Sequence, residues 1–150
     1  MSKKFELTSN FKVFLGRKLF QIKAMVSFGD VKKGDLGGYI EKEENLSHGG
    51  NAWVYGNAWV YGNARVYGDA EVSGNARVSG NADYTTVKGF GTKFRTTTFF
   101  RCKDKAVRVI CGCFYGDLSE FREQVKNTRS GKIAEEYLMI ADLMERHFKE

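Results

Sequence analysis

From Asn51 to Ala82 the chain reads NAWVYGNAWVYGNARVYGDAEVSGNARVSGNA, a six-residue unit, Gly-(Asn/Asp)-Ala-x-Val-x, written over and over. No other feature limits the fold so tightly. Each Ala-x-Val-x tetrad is a minimal strand, with Ala and Val on one face and the x residues on the other. Each Gly-Asn or Gly-Asp pair is a corner, because both residue types tolerate positive φ. Short strands joined by tight corners of one sense wind into a coil. Val54, Val60, Val66, Val72 and Val78, with Ala52, Ala58, Ala64, Ala70, Ala76 and Ala82, then point into its axis. Larger side chains would overpack so narrow an axis.

The flanks read differently. FKVFLGRKLFQIKAMV has apolar residues alternating around Gly16-Arg17, which predicts a hairpin, and the turn-rich segment GDVKKGDLGGYIE follows. After the repeat, TTTFFRC and AVRVICGCF read as two strands joined by Lys103-Asp104-Lys105. Asp117 with Glu120 makes a capping box ahead of a helix carrying Leu118, Phe121 and Val125 on one face. A second helix puts Ile133, Tyr137, Ile140, Met144 and Phe148 on one stripe. We therefore expect an N-terminal β segment over residues 1–30, the repeat over 31–87, and a C-terminal ββαα segment over 88–150, folding as one cooperative unit. The flanks serve as ends for the repeat, whose terminal units would otherwise leave apolar core and strand edges open.

The repeat resembles that of the hexapeptide-repeat family, whose fold is the left-handed parallel β-helix with three hexapeptides to a triangular coil. The resemblance covers residues 51–86 and implies a mainly β fold, a short left-handed parallel β-helix of about three coils. It is closest to small phage and prophage hexapeptide-repeat proteins, which share a GDVKKGDLGGYIE-like lead-in, a run of YGNA or YGDA units and a short CGCF-containing helical tail. Many members of the wider family are trimeric acyltransferases, so the resemblance implies a homo-oligomer, with three copies, and raises acyl transfer from acyl-CoA as one activity.

With three hexapeptides to a coil, residues eighteen apart stack. The first coil carries Trp53, Tyr55, Trp59, Tyr61 and Tyr67 outward; the next carries Glu71, Ser73, Arg77, Ser79, Asp83 and Thr85. Arg65 is then expected over Asp83 as an ion pair, and Arg77 under Trp59 as a cation–π contact. An outward belt of two Trp and three Tyr does not stay bare in water. A neighbouring subunit, the chain's own flanks or a ligand would cover it. Trp53, Tyr55, Trp59, Tyr61, Arg65, Tyr67 and Arg77 are thus the candidate ligand or interface residues.

Chemistry is sparsely marked. The enzyme reading rests on His48, which the six-residue phase places in a valine slot beside Gly49-Gly50, to point inward or to cap the first coil; the other histidine, His147, ends the last helix. Cys111 and Cys113 face one side of a strand, and with Cys102 they lack the spacing and partner ligands of a zinc site, so we expect small buried residues and no metal. Gly89-Phe90-Gly91 lacks the context of a dinucleotide fingerprint. The net charge of +6 favours anionic partners. A secondary basic surface is expected at Arg95, Arg101 and Arg108, with Phe94, Phe99 and Phe100 interleaved, although no module that reads nucleic-acid sequence is present. No apolar run spans a bilayer, the start lacks a secretion signal, and an odd cysteine count argues against a disulfide framework. These features lead us to expect a protein of the bacterial cytoplasm that binds without catalysis and without a cofactor. It would interfere with a host process by sequestering a small anionic ligand such as a nucleotide, or by blocking a host protein. An acyltransferase using His48 and a structural coil of a virion are the rival readings.

Overall fold

The computed structural model describes residues 3–149. Its axis follows the repeat side chain by side chain: the alanines and valines from Ala52 to Val78 are each no more than 2 % exposed. The strands they form are minimal, β4 (Trp53–Val54), β5 (Trp59–Val60), β6 (Glu71–Val72) and β7 (Arg77–Val78). Pairs β4·β6 and β5·β7 are parallel, with Trp53 beside Glu71 and Trp59 beside Arg77, the expected step of eighteen. The backbone N–H groups of Trp53, Tyr55, Trp59 and Tyr61 donate to the carbonyls of Ala70, Val72, Ala76 and Val78 at 2.7–3.1 Å.

The fold class differs from the expected parallel β-helix. Strand makes up 41 % of the protein, and it lies mostly in antiparallel ladders. β1 (Phe5–Phe14) and β2 (Arg17–Ala24) form a hairpin whose turn is Leu15-Gly16, both at positive φ. β2 pairs antiparallel with β3 (Leu36–Ile40), and β3 continues in parallel into β5 and β7, giving a five-stranded mixed sheet. After the repeat, β8 (Tyr84–Phe90), β9 (Arg95–Arg101), β10 (Val107–Cys111) and β11 (Phe114–Asp117) form a four-stranded antiparallel sheet, where the sequence reading expected two strands. Two-residue rungs are too short to govern the architecture; the long β-branched and aromatic strands at either end govern it instead.

The repeat also stops earlier than its pattern. Asn81–Asp83 is a 3-10 turn in which the Asp83 carboxylate accepts from the Ser79 and Gly80 N–H groups at 2.9 and 3.2 Å. Ala82 is consequently exposed, and Thr85 and Val87 belong to β8. At the other end the step changes. Leu46 pairs with Val66 and Tyr39 with Trp59, twenty apart, so the two extra residues lie in the stretch after Leu46, Ser47-His48-Gly49-Gly50. Leu46, 1 % exposed, fills the axis in place of His48.

Two cores share the second sheet. Phe100, Cys102 and Ile110 face the coil, while Phe99, Val107 and Val109 face α1 (Leu118–Thr128) and α2 (Gly131–His147). The capping box of α1 is reciprocal: Glu120 N–H donates to Asp117 at 2.8 Å, and Asp117 N–H to Glu120 at 3.0 Å. No helix among the described residues is long and apolar enough to cross a membrane.

Two corners of the repeat separate strain from crowding. Gly56 and Gly62 both have positive φ, but a Cβ on Gly56 meets nothing within 4 Å, whereas one on Gly62 lies 2.6 Å from the Ser79 carbonyl oxygen. Gly56→Ala should cost roughly 1–2 kcal/mol from its backbone conformation alone. Gly62→Ala should cost clearly more, because backbone blocks the methyl. Urea midpoints of the two variants measure the difference, and equal midpoints would count against the close approach.

Candidate functional site

Of the aromatic belt, Trp53, Trp59 and Tyr61 are covered by the chain itself. Trp53 is 1 % exposed beneath Phe28 and Phe5, with ring centroids 5.3 and 6.5 Å away. Gly37 permits this closeness, since a Cβ there would lie 2.8 Å from the Trp53 ring. Trp59 lies between the Phe14 ring, 5.0 Å away, and the Arg77 guanidinium, 3.8 Å from its centroid. The expected cation–π contact is therefore present, and Arg77 also donates to the carbonyls of Ala76 and Asn57. Tyr61 packs against Phe14 and Arg17, each 5.8 Å away. Tyr55 is half-buried, and burial pushes its hydroxyl up to about 12. Arg65 and Tyr67 stay exposed. Asp83 does not pair with Arg65 as expected; its carboxylate lies 3.3 Å from Arg101.

Arg65 and Tyr67 line an open cavity of about 560 Å³ with His48, Ser47, Glu43 and Glu44. Both ring nitrogens of His48 are engaged there. Nδ1 accepts the Lys4 backbone N–H at 3.1 Å, and Nε2 lies 2.9 Å from Glu43. The first bond places the ring proton on Nε2, which donates to the carboxylate. The ring also stacks on Phe5 at 4.2 Å. A general base needs a nitrogen lone pair aimed at substrate, and this geometry spends it on backbone. Hydrogen bonds from Lys3 and His48 hold the Glu43 carboxyl below its usual range.

A second site lies at one end of the antiparallel sheet, where three connections meet. The β8–β9 turn brings Lys93, the first residue of β9 is Arg95, and the link between the helices supplies Arg129. These cations line a small cavity of about 130 Å³ with Gly91, Gly112 and Tyr137, and no carboxylate is in its wall. None of the three pairs with an acid among the described residues. Gly91 lies so close to Tyr137 that a Cβ would come within 2.7 Å of its hydroxyl, and a Cβ on Gly112 would collide with the Arg95 guanidinium. The glycines thus keep the floor open. Arg95 and Gly112 also border a wider groove of about 610 Å³, which runs past Phe94 to Tyr55, Asp30, Asp69 and Glu71. Burial, and then Asp30, raise the Glu71 carboxyl above its usual range.

Of the expected basic surface, only Arg95 reaches this cleft. Arg101 bonds Asp83 and the Phe148 carbonyl, and Arg108 pairs with Asp104 at 2.8 Å. Cys102 is buried, and burial pushes its thiol up to about 11; Cys111 is half-buried, accepting from the Thr97 hydroxyl, while Cys113 is exposed rather than buried as expected. Among the described residues no cluster of three or more His, Cys, Asp or Glu side chains is placed to hold a metal ion. Sequence reasoning did not single out Arg129 or Asp30. Their signal was weak, because a cation after a helix and an acid in a turn-rich stretch are ordinary surface residues. No protein-family model matches the chain, and no curated protein matches it.

Lys4 closes the open end of the coil and carries a pH signature. Its ammonium is buried, donates to the Ala52 carbonyl at 2.7 Å and lies 4.9 Å from the Phe28 ring centroid. Burial pushes it down from 10.5 to about 8. The unfolded chain therefore binds more protons than the folded one between these values, so Lys4's contribution to stability rises with pH across that window and is lost as pH falls through about 8. The stability difference between wild type and Lys4→Met should shift toward wild type from pH 8 to 10 in urea titrations. A flat difference would show that the ammonium titrates as it does in water.

Proposed function

We propose that this chain is a non-enzymatic binding protein that sequesters a small anionic ligand such as a nucleotide, anchored through phosphate on Lys93, Arg95 and Arg129. One observation carries this reading: Lys93 and Arg95 from the β8–β9 turn and the start of β9, with Arg129 from the helix linker, line one small cavity with no carboxylate in its wall. Like charges held together repel, and an anion relieves that repulsion. The guanidinium fork matches phosphate oxygens two at a time. A cavity of about 130 Å³ is roughly four times the ~30 Å³ share of one water in the liquid, which suits a phosphoryl group.

The acyltransferase reading gains less support, because His48 commits both ring nitrogens to Lys4 and Glu43. A purely structural coil has no use for a basic cavity. The trimer implied by the resemblance is not needed to explain the cover over Trp53, Trp59 and Tyr61, which the N-terminal hairpin and Phe28 supply. In the setting that resemblance implies, a phage or prophage protein inside a bacterial host, such binding withdraws a signal from the host.

Titration calorimetry with inorganic phosphate and with adenosine 5′-monophosphate, at low salt, tests the reading. Both should bind wild type. Arg95→Gln and Arg129→Gln should each weaken binding about tenfold, the scale of one lost charge-assisted hydrogen bond. Arg65→Gln, in the other cavity, should leave binding unchanged. A loss in Arg65→Gln instead would move the ligand to the His48 cavity, and the absence of binding by wild type would overturn the proposal.

A further inference from the structure

The groove beside the cation pocket has the opposite polarity, and the two share a wall at Arg95 and Gly112. Asp69 in that groove is neutralised by Lys88, 3.2 Å away. Asp30 and Glu71 are not: neither has an ion-pair partner among the described residues, and the two carboxyls lie close enough that Asp30 raises Glu71. Phe94 stands at the groove, 65 % exposed. The carboxylates alone would not make a site. What makes one is the pair of adjoining cavities that share Arg95 and Gly112, the small one basic, the wide one acidic and bordered by an open aromatic side chain.

Such a partition dictates how a ligand lies. Phosphate is repelled by Asp30 and Glu71, so it stays at the narrow end. Whatever reaches the wide end must donate hydrogen bonds, because an ionised carboxylate only accepts them. A planar ring would meet Phe94. Resting on the anion-binding reading above, we propose that the ligand is a ribonucleoside phosphate: phosphate on Lys93, Arg95 and Arg129, ribose hydroxyls donating to Asp30 and Glu71, and the base against Phe94. The acidic wall then selects ribose over deoxyribose, since a missing hydroxyl leaves the half-buried Glu71 carboxylate without a donor.

Calorimetry on the full chain at neutral pH tests this, with adenosine 5′-monophosphate, its 2′-deoxy counterpart, ribose 5-phosphate and inorganic phosphate as probes. Wild type should prefer the ribonucleotide over the deoxynucleotide by about tenfold, and ribose 5-phosphate over phosphate. Asp30→Asn and Glu71→Gln should bring the ribose preference close to one, with phosphate affinity retained or raised. Phe94→Ser should weaken both nucleotides but not ribose 5-phosphate. Thermal melts identify any variant that does not fold, and the remaining variants then decide. Phosphate binding that depends on Arg129, without ribose preference in wild type, would sink this inference and leave the anion-binding reading standing. No binding of any probe would remove both.

Discussion

From Ala52 to Val78 the axis of the repeat is filled by alanine and valine alone, and much of the structure answers to that limit. A shaft filled with small side chains buries little apolar surface per residue, so it cannot hold a fold together alone. The remainder of its core is brought from outside: Phe5, Ile22 and Ile40 from the first sheet, Phe100 and Ile110 from the second. The coil's open end also needs a lid. Asn45, fully buried, donates its amide to the carbonyls of Ala64 and Gly62, Leu46 plugs the axis, and the Lys4 ammonium reaches the last free carbonyls. The antiparallel sheets are therefore the means by which a thin shaft becomes a stable protein.

The same limit explains how far the sequence could be read. Inward and outward positions of the repeat follow from a period of two within a period of six, and, from Ala52 to Val78 but not at Ala82, both survive in the structure. So does the Arg77–Trp59 contact, because stacking by eighteen needs no knowledge of the rest of the chain. The fold class did not follow, because the pattern is most regular where the strands are shortest. The inward placement of His48 fails by the same overextension: running the phase backwards through two extra residues put it in the axis, where Leu46 sits, whereas its other expected place, at the end of the coil, is where it stacks on Phe5.

The cleft was harder to read than the belt for a physical reason. Belt residues are neighbours along a periodic segment, so spacing alone brings them together. Asp30, Glu71, Arg95 and Arg129 come from a loop, the coil, a strand and a helix linker, and only the tertiary fold joins them. The belt misled in a second way: Trp53 and Trp59 look like a surface awaiting a partner, while the partner is the hairpin that precedes them in the chain.

The step of eighteen has one more consequence. Asp30, Asn51 and Asp69 come from successive levels on one side of the molecule, and the second sheet docks onto the last level. Adding or deleting one hexapeptide would turn everything after it by about a third of a revolution, carrying Arg95 and Phe94 away from the acidic wall. The alanine–valine layers themselves would hardly register such a change, since one resembles the next. A change in the number of repeats would thus keep the cleft only in whole turns.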